Sequence, residues 1–185
     1  MSIVSPPSAS IYPPATVHER IERHTLSVLV DNEPGVLARV IGLFSGRGYN
    51  IDSLTVSETE HEKHLSRITI VTSGTPMVIE QIRHQLERLV QVQRVVDLSE
   101  SERPAIEREL AMVKVRGKGE HRVEALRLAD AFRARVIDAS IESFIFEITG
   151  RTDKIDQFVE LMLPLGLTEV SRTGVVGISR GPEGM

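Results

Sequence analysis

His24-Thr-Leu-Ser-Val-Leu-Val-Asp-Asn-Glu-Pro-Gly-Val-Leu37 is the stretch on which the fold turns. Its first eight residues are rich in β-branched and aliphatic side chains, the pattern of a buried strand. Asn32-Glu33-Pro34-Gly35 is a turn cluster. Val36, Leu37, Val40, Ile41 and Phe44 then recur at helical spacing, and Gly46 and Gly48 mark the helix end. A strand that runs into a helix through so short a turn is the opening of a layered α+β unit.

Working outward, Tyr49 to Ser57 reads as a second strand, with a phase change near Asp52-Ser53 that predicts a bulge. Glu58 to Lys63 reads as a polar hairpin loop, and Leu65 to Thr72 as a strand with Ile68 and Ile70 on one face. Thr75-Pro76 is a helix start, a capping residue followed by Pro at the first helical position. Ile79, Ile82, Leu86 and Leu89 are its inward stripe, and Val92 to Leu98 is the fourth strand. The order βαββαβ within about 75 residues is the ferredoxin-like split βαβ plan.

The plan then repeats. Strands are expected at Glu109 to Arg116, Arg135 to Ala139, Ser143 to Thr149 and Leu167 to Ser171, with Val175 to Ile178 extending or following the last. Ala125, Leu128, Ala129 and Phe132 mark one helix; Thr152 caps another, whose inward residues are Ile155, Phe158, Val159 and Met162. The chain is thus divided into a flexible Pro/Ser-rich tail (1–23), a first domain (24–98), a linker (99–106) and a second ferredoxin-like α+β domain (107–181). A half of this size leaves about 40% of its unfolded surface exposed, and a sheet covered on one face leaves the other face and two edges to be managed. Pairing with a second copy, through sheet edges and helices of the first half, is the expected answer.

Composition narrows the function. Acidic residues outnumber basic ones, 26 to 22, for a net charge of −4, against the basic surplus of a nucleic-acid binder. With no Cys, thiol catalysis, disulfides and Cys-ligated zinc are excluded. No apolar run approaches the roughly 18 residues of a membrane span, and the N-terminus lacks a basic start and an apolar signal region, so a cytoplasmic location is expected. No catalytic constellation emerges. His61 and His64 are three apart, but in a hairpin loop that spacing has no ligand meaning, so no metal site is expected. Gly46-Arg47-Gly48 reads as a helix end, and Arg116-Gly117-Lys118-Gly119 as a simple turn, too short for a phosphate loop.

Asp31 to Leu37 carries more chemistry. Free N–H groups at a helix start receive a carboxylate, and Gly35 lets a ligand approach the backbone. Asp31 and Asn32 offer groups that meet an ammonium. Such a set suits a free amino acid. Plain capping is the alternative for the same residues, and these residues alone leave both open.

The stretch Leu26 to Leu37 closely resembles the regulatory (small) subunits of acetolactate synthase. The likeness continues through Ala38 to Val56, Leu65-Ser-Arg-Ile-Thr-Ile70, Glu107-Arg-Glu-Leu110 and Arg172-Thr-Gly-Val-Val-Gly-Ile-Ser-Arg180. It covers about His24 to Arg180, and the first domain is similar to the ACT domain, a small-molecule-sensing form of the βαββαβ plan. The resemblance implies a non-catalytic role beside a large catalytic subunit that carries thiamine diphosphate, magnesium and often FAD; no cofactor is expected in this chain. It also implies activation of that partner and feedback inhibition, usually by valine, in branched-chain amino acid biosynthesis. By the same likeness Asn32 and Gly35 fall in the effector loop, Val36 and Leu37 stand near the ligand side chain, and Asn50 comes from the facing part of a homodimer. A stand-alone transcriptional sensor would need a basic face or a helix-turn-helix, and an enzyme in its own right would turn over pyruvate alone.

Overall fold

Period-two alternation sets the first strand. Leu26, Val28 and Val30 point to one side of β1 (Glu22–Asp31) and are at most 2% exposed. Against them pack α1 (Val36–Arg47) through Val36, Val40 and Phe44, and α2 (Pro76–Glu87) through Ile79, Ile82 and Leu86. Each such side chain contributes about 1.5–3 kcal/mol when fully buried. β2 (Ser53–Glu60), β3 (Leu65–Gly74) and β4 (Val92–Asp97) complete an antiparallel sheet in the order β2-β3-β1-β4. The computed structural model describes residues 20–60, 64–100, 104–182 and 184–185.

The second half repeats this build. β5 (Ile106–Arg116), α3 (Glu120–Ala131), β6 (Arg135–Ala139), β7 (Ser143–Gly150), α4 (Thr152–Met162) and β8 (Leu167–Arg172) give the order β6-β7-β5-β8. Its core joins Ala111, Val113 and Val115 of β5 to Phe144, Phe146 and Ile148 of β7 and to Ile155, Phe158 and Met162 of α4. Phe158 meets Phe132 at 5.4 Å and Phe146 edge-on at 6.2 Å between ring centroids. The fold is therefore α+β, two ferredoxin-like βαββαβ units in one chain.

Thr75 caps α2 as its sequence predicts, its side chain accepting from the Val78 N–H with Pro76 behind it. Other local expectations are corrected. β2 begins at Ser53, not Tyr49, and shows no bulge at Asp52-Ser53; its register slips at Glu58/Glu60 instead. It also runs to Glu60, into the expected hairpin loop, whose residues 61–63, His61 among them, lie outside the described residues. Thr152 is the first helical residue of α4; the cap position is Arg151, and no side chain caps that end. β1 starts at Glu22, two residues before His24, because β3 is long enough to pair Gly74 with it. β5 starts at Ile106, before Glu109, because β9 (Val176–Ile178) pairs with Ile106 to Arg108. The rest of the expected N-terminal tail, residues 1–19, also lies outside the described residues.

The helix-free face of the first sheet is not left to a second copy alone. The chain's own segment after β8 crosses it. Ser53 Oγ accepts from the Val175 N–H at 3.0 Å, and Thr55 Oγ1 donates to the Val175 carbonyl at 3.0 Å. Gly174, at φ +83°, has room for no more: a Cβ there would stand 2.7 Å from Ser53 Oγ. Thr25 and Ser27, on that face of β1, are at most 1% exposed, and Ser27 Oγ meets Met185 Sδ at 3.0 Å.

Candidate functional site

The turn between β1 and α1 is anchored on both sides. The Asp31 N–H donates to Gln91 O at 2.9 Å and the Asn32 N–H to His64 O at 2.7 Å. Asp31 Oδ1 accepts from Gln93 Nε2 at 2.9 Å, so its carboxylate is held by β4 and is not a free anion. Gly35 then takes φ +89°, ψ −7°, the left-handed region that an L side chain adopts only under strain. Space around it is open, with no atom within 4 Å of where a Cβ would stand.

Gly35 occupies the N-cap position of α1 and brings no side chain to it. The Arg39 N–H reaches Gly35 O at 3.1 Å, while the Leu37 and Ala38 amides find no acceptor among the described residues. The first turn of α1 carries no acidic residue. These amides, with the positive end of the helix dipole behind them, are arranged to receive a carboxylate.

The predicted residues divide sharply here. Asn32 and Gly35 are exposed on the turn. Val36 is 5% exposed and belongs to the core, so only its backbone faces the turn. Leu37 and Ile41, read from sequence as part of one stripe with Val40 and Phe44, are 38% and 36% exposed and form a separate apolar strip. Asn50 is elsewhere. Its Nδ2 donates to Asp52 Oδ1 at 2.6 Å, its carbonyl accepts from Thr72 Oγ1 at 2.6 Å, and Ser73 Oγ donates to the other Asp52 oxygen at 2.8 Å.

Thr72 pairs with His24 and Leu65 with Asp31, so Asn50 and Asn32 sit near opposite ends of the sheet. At about 3.3 Å per residue over the seven intervening steps, they are roughly 23 Å apart along β1. One chain therefore does not bring Asn50 to the Gly35 turn. Sequence reasoning missed Asp52 and Ser73, which fix Asn50, and Ile41 as a surface residue. The signal for Ile41 was a stripe wider than a single buried face needs.

Two further polar clusters are structural in form. His24 Nδ1 and Asp97 Oδ2 meet at 2.7 Å in a buried pair that ties the end of β1 to that of β4, and the Ser99 N–H donates to the second Asp97 oxygen. Glu100 comes within 4.8 Å of that pair. Arg172 grips Glu109 with two hydrogen bonds, 2.8 and 2.7 Å, and Asp156 with a third at 2.7 Å. The bond to Glu109 raises the guanidinium above its ordinary value. Among the described residues no helix is long and apolar enough to cross a membrane.

Residues 108–181 match the family model for the small subunit of acetolactate synthase, and residues 26–94 match that for the small-subunit-like ACT domain. The acetolactate synthase small subunit of Mycolicibacterium smegmatis is 45% identical over 162 residues, covering 88% of this chain and 94% of that protein. The chain belongs to the acetolactate synthase small-subunit family. The Haemophilus influenzae small subunit is 46% identical over 160 residues, covering 86% and 96%. The crystal structure of the Thermotoga maritima small subunit superposes with a TM-score of 0.78 at 40% identity, covering 88% of this chain and 99% of that one. As a small subunit it is the non-catalytic member of a complex with a catalytic subunit.

Proposed function

We propose that this chain activates the thiamine-diphosphate-dependent catalytic subunit of acetolactate synthase and makes it sensitive to feedback inhibition by valine or another branched-chain amino acid. The observation that carries this reading is the uncapped start of α1 at Gly35. Two amides without acceptors lie beside Asn32, next to the exposed apolar strip of Leu37 and Ile41. A free amino acid brings the matching groups, a carboxylate for the amides and an aliphatic side chain for the strip.

The effector sits between two copies. Asn32, Gly35, the Val36 backbone and Leu37 come from one, and Asn50, held by Asp52, comes from the other. The distance between Asn32 and Asn50 within one chain supports that arrangement. The homodimer forms through the first domains, where α1 exposes Leu37 and Ile41 and the edge strand β2 exposes Val56. A ligand shared by two chains favours one relative placement of them, and a difference of about 1–3 kcal/mol between placements changes the partner's response 5- to 150-fold. Thiamine diphosphate, magnesium and FAD belong to the catalytic partner, and the complex works in the cytoplasm.

Acetolactate formation by the catalytic subunit, measured with and without this chain and with and without valine, tests the reading. It predicts a higher rate with the chain and inhibition by valine only when the chain is present. A rate and a valine response indifferent to the chain overturn it.

A further inference from the structure

Several guanidinium groups in this fold carry an acid. Arg172 holds Glu109 and Asp156, Arg23 holds Glu107, and Arg135 holds Glu147. Three others converge without one. Between the helix-free face of the first sheet and the segment after β9 lies a cavity of about 490 Å³. Arg67, Arg94 and Arg180 all line it, together with Met185 and its main-chain carboxylate, and among the described residues no carboxylate side chain does.

The sheet register explains the convergence. Leu29 of β1 pairs with Arg67 of β3 on one side and Arg94 of β4 on the other. Both arginines therefore stand in one row, about 10 Å apart at their Cα atoms. Arg180 arrives from the second domain, its Nε donating to Pro104 O at 2.8 Å. Arg67 Nε is buried without a hydrogen-bond partner among the described residues, and Arg94 has only a 3.5 Å contact to Gly184 O. Ser27 adds a hydroxyl to the wall.

Three planar donor forks without acidic partners match a multiply charged oxyanion, which takes paired N–H bonds from each. The volume is in the range of small-molecule sites and exceeds a bare phosphate. We infer that this cavity binds a small phosphate-bearing molecule across the seam between the first sheet and the C-terminal segment. Arg67 and Arg94 supply the fixed charges and Arg180 closes over the anion. The site is on the face of the sheet opposite α1, so it is separate from the Gly35 turn.

Calorimetric titration of the full chain with pyrophosphate tests this, with citrate as the non-phosphate control. The expected result is saturable binding, one pyrophosphate per chain, at least five-fold weaker at 150 mM than at 50 mM salt. Arg67→Gln and Arg94→Gln each weaken it about ten-fold, and both leave the circular dichroism spectrum unchanged, because neither side chain belongs to the core. Absence of saturation, binding indifferent to both substitutions, or citrate binding as tightly as pyrophosphate overturns the assignment. Valine inhibition, measured on the same variants with the catalytic subunit, stays as it is in the parent chain. Failure of the phosphate site is thereby separated from failure of the effector reading.

Discussion

The two halves of this chain have one architecture and two different strand-to-helix turns. In the first, Asn32 to Gly35 leads into α1 with no acidic residue in its first turn and with two amides unclaimed. In the second, Arg116 to Gly119 leads into α3, whose first turn begins with Glu120. There Glu142 reaches across to Lys118 at 2.8 Å and Arg116 at 3.6 Å, and its carbonyl accepts from the Gly117 N–H. Both helices start at a glycine with no side-chain cap, but the second turn carries its own acid, Glu120, and its cations are paired by Glu142, while the first helical turn carries no acid. A shared fold thus carries two turns of different charge, and the proposed effector site rests on turn chemistry and not on topology.

The largest effects expected are on stability and separate the two cores. Phe44→Ala and Phe158→Ala each remove a ring at most 1% exposed and cost about 3–5 kcal/mol, read as a lowered thermal midpoint. Only Phe44→Ala, on the helix that carries the site, also weakens the valine response. Equal weakening by Phe158→Ala breaks the comparison.

Next comes Gly35→Asp. It places an acid against the unclaimed amides and an L side chain at φ +89°, at a conformational cost of about 1–2 kcal/mol. Inhibition by valine falls at least ten-fold while activation is retained, in an assay with the catalytic subunit. Loss of both together assigns Gly35 to folding. Asn32→Ala has a smaller effect, about five-fold on the inhibitory concentration, because the backbone donors remain. Lys118→Ala has the smallest. It removes an exposed ion pair, costs under about 1 kcal/mol, and leaves valine inhibition within two-fold of the parent. A larger change shows that the second turn also takes part.

What was legible in the sequence was local. The β-branched and aliphatic run from His24 to Asp31 gave β1, and Thr75-Pro76 gave the start of α2, because each rests on neighbours in the chain. The candidate turn was visible too, since Asn32 to Gly35 interrupts both periods. The rest depended on distant partners. Ser53 and Thr55 are satisfied by Val175, more than a hundred residues away, so nothing near β2 announces the crossing segment. Its role on the open face was correspondingly assigned to a second copy. Thr152 has the side chain of a cap but not the position, because β7 runs to Gly150 and leaves Arg151 in the extended conformation. Leu37 and Ile41 share the helical period of the core residues, and only their exposure separates them.

The most direct test is a crystal structure of the full chain grown with saturating valine. The account predicts a valine between two copies, its carboxylate within hydrogen-bond distance of the Leu37 and Ala38 amides of one and its polar end facing Asn50 of the other. A Gly35 turn without valine, or a valine held entirely within one chain, contradicts it.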